Sequence, residues 1–165
     1  MICKSFDPIF APEARVLIVG SMPSVKSLEA GFYYAHPRNA FWPFLSDIFH
    51  APVNSTCEKR SLVENHSLAL WDVAESCVRK GSLDSSMRDI LPNDIPSLVR
   101  TLPIERILLN GQAATRLFHR FFPELEKEKL CISLPSTSPA HTMPYSQKLL
   151  RWTDALVYTA SNPYL

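Results

Sequence analysis

The sequence predicts an α/β fold: a three-layer αβα sandwich around a central parallel sheet of about four strands. Three features predict it. Short, unbroken apolar runs recur along the chain, as strands buried on both faces do. Segments with apolar residues at helical spacing separate them. Turn-forming residues follow the runs, where a chain leaving a buried strand must bend. Strands alternating with helices pair in parallel through right-handed crossovers.

Arg15–Val19 is the first strand, closed by Gly20. Asn39–His50 is a helix, with Phe41, Phe44, Leu45, Ile48 and Phe49 on one face and Pro43 early, where a missing amide proton costs least. Glu58–His66 is a charged helix, and Leu68–Val73 a second strand. Ala74–Pro92 reads as irregular, with Gly81–Ser86 at its centre. Asn93–Leu102 is helical, with Ile95, Leu98, Val99 and Leu102 inward. Arg106–Leu109 is a third strand, ended by Asn110-Gly111. Gln112–Phe122 is a helix stopped by Pro123, and Lys129–Leu134 a fourth strand. Tyr145–Thr159 closes the chain as a helix, with Leu149, Leu150, Thr153, Leu156 and Val157 facing inward.

The 165 residues are expected to form a single domain, 1–165, with 46% hydrophobic and 20% charged residues. A net charge of +1 rules out a globally basic chain, so nucleic-acid binding would need a local basic face. Fourteen prolines against four glycines point to rigid turns. Cys3, Cys57, Cys77 and Cys131 show neither C-x-x-C nor zinc-finger spacing, and read as packed or surface thiols. No metal or other cofactor is expected. Without a signal peptide or an apolar run long enough to span a membrane, the expected location is intracellular and cytoplasmic.

In an open parallel sheet the site lies beyond the carboxyl ends of the strands. The loops there are Gly20–Arg38, Ala74–Pro92, Asn110-Gly111 and Pro135–His141. The first runs into Gly31-Phe-Tyr-Tyr-Ala-His-Pro-Arg-Asn-Ala-Phe-Trp42, an unusual concentration of aromatic and polar side chains for a mere connection.

These loops resemble the motifs of the uracil-DNA glycosylase superfamily. Gly20-Ser21-Met22-Pro23-Ser24 is similar to its G-x-x-P turn, and Leu134-Pro-Ser-Thr-Ser-Pro-Ala-His141 to its second motif. Gly31–Trp42 is similar to the G-F-x-x-A-H-P-x-N-x-F-W of the mismatch-specific branch. Two positions depart. Met22 stands where that branch carries a water-activating Asn, and Ser136 where the classical branch carries a His that stabilises the departing base. The combination, with Gly81–Ser86, most resembles the hypoxanthine-DNA glycosylase branch. The resemblance implies a uracil-DNA glycosylase-like fold and removal of deaminated adenine from DNA. It also implies that Asn39 is catalytic.

Cleaving an N-glycosidic bond creates a cationic sugar and an anionic base, and a water must be held beneath the sugar. The neutral amide of Asn39 can orient that water; Asn39 also directly precedes an apolar helix, where a cap serves equally. Tyr34 matches the position whose ring stacks on the flipped base in related families. Asp72, ending the second strand, can accept the N1–H of hypoxanthine, where adenine would offer only a lone pair. Met22 and Ser136 complete the base-binding group. Ser24, Ser85, Ser86 and Ser138, with Arg38, Arg88 and His141, are candidates for contacting DNA, and serine also favours turns in its own right. His36 is a further candidate. Ala140 stands where relatives insert a bulky wedge, so either His141 or Met143 takes that role or the wedge is weak.

No lysine stands in these motifs, so a Schiff-base step is not suggested. The expected partner is damaged DNA, duplex or single strand, with the protein a nucleoid-associated monomer and no membrane contact. Excision of uracil or of G/T mismatches, and an inactive DNA-binding module, stand as alternatives.

Overall fold

The structure, a computed structural model, describes residues 1–157. The central sheet contains β2 (Ile9–Phe10), β3 (Val16–Gly20), β4 (Leu68–Asp72), β7 (Arg106–Asn110) and β8 (Leu130–Leu134). Its order is β2-β4-β3-β7-β8. Four strands run parallel, and β2 is added antiparallel at one edge. The parallel strands are those the sequence predicts, shifted by a residue at some ends. Arg15 lies before β3, exposed and 3.3 Å from Glu105. At two residues, β2 is too short to leave a periodic signal.

The apolar runs bury both faces. On β3, Val16 and Ile18 join one cluster while Leu17 and Val19 join the other. The first cluster is closed by α2 (Phe41–Phe49), α3 (Thr56–Asn65) and α7 (Tyr145–Val157). The second is closed by α4 (Ile95–Thr101), α5 (Gln112–Phe121) and α6 (Pro123–Glu128). This is the expected three-layer sandwich. Ser55 and Glu58 form a capping box at α3, and Asp94 caps α4.

Two readings of the loops need correction. Ala74–Pro92 is not irregular: it carries β5 (Ala74–Val78), a 3-10 turn at Asp84–Ser86, and β6 (Arg88–Pro92). With β1 (Ile2–Lys4) these strands form a separate antiparallel sheet, β1-β5-β6. Its strands are short, half-exposed and interrupted by register shifts, which erases alternation. Gly20–Arg38 is not all loop, because α1 (Val25–Ala30) follows a Ser24 cap. Pro123 both ends α5 and starts α6, at a helical position that needs no amide proton.

On α7 the buried residues are Lys148, Trp152, Ala155 and Leu156, whereas Leu150 and Val157 are exposed. The Trp152 indole donates to the Pro135 carbonyl at 2.9 Å and fixes the rotation of the helix. The expected end at Thr159 lies outside the described residues. Cys3 and Cys77 face each other as buried free thiols, Cys57 is exposed and Cys131 half-buried. Among the described residues, no helix is long and apolar enough to cross a membrane.

Candidate active site

β3, β4, β7 and β8 end side by side at Gly20, Asp72, Asn110 and Leu134. Beyond them opens a cavity of about 850 Å³. Asn39, Tyr34, Asp72, Met22, Ser136, Ser24 and Ser138 all line it. Arg38, Ser85, Ser86 and His141 do not. Arg38 and Ser85 are exposed elsewhere, and the Ser86 hydroxyl braces its own turn against Lys80 and Leu83.

Asn39 precedes α2. Its Oδ1 accepts the Phe41 N–H at 2.9 Å, and its own N–H donates to the His36 carbonyl at 2.9 Å. The N-cap position itself falls on Ala40, so the Oδ1 bond makes an Asx turn just ahead of the helix rather than an N-cap. It holds the amide plane fixed while leaving a second lone pair on Oδ1. The next residue, Ala40, donates its N–H to the Thr137 carbonyl at 3.0 Å. That bond ties the loop to the Pro135–His141 turn.

The turn itself is clamped. Asn110 donates through Nδ2 to Thr137 Oγ1 and accepts the Thr137 N–H at Oδ1, both at 3.0 Å. Ser136 Oγ accepts the Ser138 N–H at 3.1 Å, and Ser138 Oγ accepts the Ala140 N–H at 3.3 Å. These serines serve the turn as acceptors, which leaves each hydroxyl its hydrogen to donate. Gly111 allows the approach, since a Cβ there would come to 2.8 Å from Ser136 Cβ. Below, the buried Lys148 ammonium donates to the carbonyls of His141 (2.8 Å) and Ser138 (3.3 Å). Burial lowers its pKa. His36 Nδ1 accepts the Arg38 N–H at 3.1 Å, so a neutral ring carries its proton on Nε2.

The opposite wall differs. Asp72 is 3% exposed, and its Oδ2 has no hydrogen-bond partner. Burial, then the charge of Asp84, pushes its carboxyl up to about 7, while Arg79 pulls the other way. A Cβ on Gly20 would run into Asp72 Oδ1 and come to 3.0 Å from the Tyr34 hydroxyl, so only glycine fits beneath them. Tyr34 holds a left-handed backbone, φ +51°, unusual for a bulky residue. Its ring stacks on Phe41 at 4.0 Å, and its hydroxyl is buried without a partner. Burial, then Asp72, raises its pKa, opposed by Asn110.

Sequence reasoning missed the charges behind this wall. Arg79 is buried just after β5 and donates Nη2 to the Pro23 carbonyl at 2.6 Å. Its Nη1 lies 3.9 Å from Asp84 Oδ1, which also accepts from the Ser21 hydroxyl at 3.0 Å. Burial raises the Asp84 pKa, with Ser21 and Arg79 opposing. Asn110, at a strand's carboxyl end, was open to discovery by the rule that located Asp72. Arg79, Thr137 and Lys148 left no such signal.

A family model described as the Uracil DNA glycosylase superfamily matches residues 8–158. Two proteins named hypoxanthine DNA glycosylase, from Methanosarcina acetivorans and Methanosarcina barkeri, are each 30% identical to the chain. The first alignment spans 117 residues, 69% of this chain and 74% of the relative. The second spans 112 residues, 66% and 71%. A solution NMR structure of a Methanosarcina acetivorans protein, provisionally described as a uracil DNA glycosylase, superposes with a TM-score of 0.81 at 26% identity, covering 97% of this chain and 99% of that one.

Proposed function

The chain belongs to the uracil DNA glycosylase superfamily, and we propose that it hydrolyses the N-glycosidic bond of deaminated bases in DNA, chiefly hypoxanthine. One observation carries the choice of base: a buried carboxylate oxygen without a partner, on Asp72, in the cavity that Asn39 also lines. The names of the two Methanosarcina relatives support the same choice.

A base inside a duplex is out of reach, so the nucleotide is flipped into the cavity. The half-exposed ring of Tyr34, backed by Phe41, is the surface on which the base stacks. Asp72 as carboxylate accepts the N1–H of hypoxanthine. Adenine presents a lone pair at N1, which a carboxylate repels, so the undamaged base is rejected by the same contact. Met22 and Ser136 border the base.

Asn39 holds the attacking water through the free lone pair of Oδ1. As the bond breaks, the sugar gains cationic character and the base leaves as an anion, taking up a proton afterwards. Water adds its oxygen to C1′ and loses its proton, giving an abasic site. Ser24, Ser136 and Ser138 donate to phosphate oxygens, and Arg38, exposed outside the cavity lining on the loop that carries Asn39, adds charge for the DNA backbone. The protein acts as a monomer and makes no covalent intermediate.

The test uses labelled duplexes containing deoxyinosine, deoxyuridine, deoxyxanthosine or a G/T mismatch, treated with alkali after incubation. Cleavage chiefly at deoxyinosine is expected. Preferential cleavage at deoxyuridine overturns the base assignment, and binding without abasic sites overturns the catalytic one.

A further inference from the structure

Most side chains at the cavity mouth are polar or small, with one exception. Leu83 lines the cavity and is 62% exposed. The other large apolar or aromatic lining residues are sheltered: Met22 and Tyr33 are buried and Tyr34 is half-buried. Among the exposed large apolar side chains of the described residues, Leu83 alone borders the cavity.

Its loop is braced rather than loose. Ser82 Oγ accepts the Val25 N–H at 2.8 Å, pinning the loop to the start of α1. Asp84 accepts from Ser21 at 3.0 Å, and the Ser86 N–H donates to the Leu83 carbonyl at 3.0 Å. A leucine between two such anchors cannot easily fold back to bury itself. Beside it, Lys80 is exposed and lines the same cavity, offering a cation to a phosphate backbone. The facing lip ends in Pro139 and Ala140, which are small, while His141 and Met143 do not line the cavity.

A nucleotide turned out of a duplex leaves a gap that its neighbours close by restacking, unless an apolar group fills it. We infer that Leu83 inserts into the base stack of duplex DNA and holds open the gap left by the flipped nucleotide. This rests on the reading of the protein as a DNA glycosylase. The wedge then comes from the loop between β5 and β6, not from the Pro135–His141 turn.

Single-turnover excision of hypoxanthine is measured on one oligonucleotide as duplex and as single strand, for wild type, Leu83→Ala and Leu83→Phe. Leu83→Ala is expected to slow duplex excision about tenfold or more and single-strand excision less than about twofold, because only the duplex has a gap to fill. Leu83→Phe, still bulky and apolar, is expected to keep the duplex rate. Equal rates for Leu83→Ala and wild type on duplex, or equal losses on both substrates, overturn the inference. A second readout is independent of chemistry. With 2-aminopurine beside the deoxyinosine, wild-type binding should raise fluorescence and Leu83→Ala should not. A rise that persists in Leu83→Ala, or is absent in wild type, also overturns it. If wild type excises nothing, the glycosylase reading fails while the fluorescence still decides the role of Leu83.

Discussion

The two walls of the cavity handle polarity in opposite ways. Around Asn39, Asn110, Thr137, Ser136 and Ser138, local donors and acceptors meet one another at 2.9–3.3 Å. Across from them, Asp72 Oδ2, the Tyr34 hydroxyl, and Nε and Nη1 of Arg79 are buried without hydrogen-bond partners; on the satisfied side His141 Nδ1, at the end of the Pro135–His141 turn, is the exception. A satisfied wall is rigid before any ligand arrives, which suits the placing of a water. An unsatisfied wall carries a desolvation cost that a correctly shaped partner relieves, which suits discrimination. On the function we propose, catalysis and specificity fall on different sides of one cavity.

The largest expected effect is on the satisfied wall. Asn39→Ala should cut the single-turnover rate by about 10²–10⁴-fold, the usual range for losing a group that handles the attacking water. Its stability cost should be only about 1 kcal/mol, the loss of the turn bond to the Phe41 N–H. Urea unfolding and excision assays measured together check the split. Near-wild-type turnover would remove Asn39 from the chemistry and leave it a turn residue.

Asp72→Asn tests the other wall. The Asp72 carboxyl titrates at about 7 in the folded protein against an ordinary value of 3.8. The folded state therefore holds this proton more tightly. The stability linked to it is fully present below about pH 3.8 and lost as pH rises through about 7. Asparagine cannot ionise, so the variant should gain in Tm relative to wild type at pH 8 and not at pH 4. Its preference for deoxyinosine over deoxyadenosine should shrink, and the wild-type preference should weaken as pH falls below about 7. An unchanged preference in Asp72→Asn excludes the carboxylate from base reading.

The same contrast governs what the sequence discloses. The central strands are legible because burial on both faces requires unbroken apolar runs such as Val16–Val19. The residues at their carboxyl ends follow, so Asp72 and the Asn39 loop were within reach. The small sheet was not, because half-exposed strands such as Arg88–Pro92 carry no period. With it went Arg79 and Asp84, whose meeting with Pro23 and Ser21 joins segments more than fifty residues apart. Lys148 was hidden for another reason: a lysine on a helix reads as solvated, and only the packing of α7 shows it turned inward onto two carbonyls.

Paired substitutions sharpen the comparison at smaller scale. Thr137→Val keeps shape and removes the buried hydroxyl that accepts from the half-buried Asn110 amide. Urea unfolding should register a loss of about 0.5–1.5 kcal/mol, the net worth of one hydrogen bond. Tyr34→Phe also removes one buried hydroxyl, but one that makes no hydrogen bond of good geometry, Asn110 lying only near enough to lower its pKa. Nothing is left unsatisfied, and a polar group leaves an environment that penalised it, so stability should stay level or rise by up to about 1 kcal/mol. The ring keeps its stack on Phe41. If stacking is what Tyr34 gives the base, excision should remain within about threefold of wild type, under the 1.4 kcal/mol that a tenfold change represents. A much larger drop at unchanged stability would mean that the hydroxyl, not the ring face, meets the substrate. Equal destabilisation by the two variants would erase the distinction between the walls altogether.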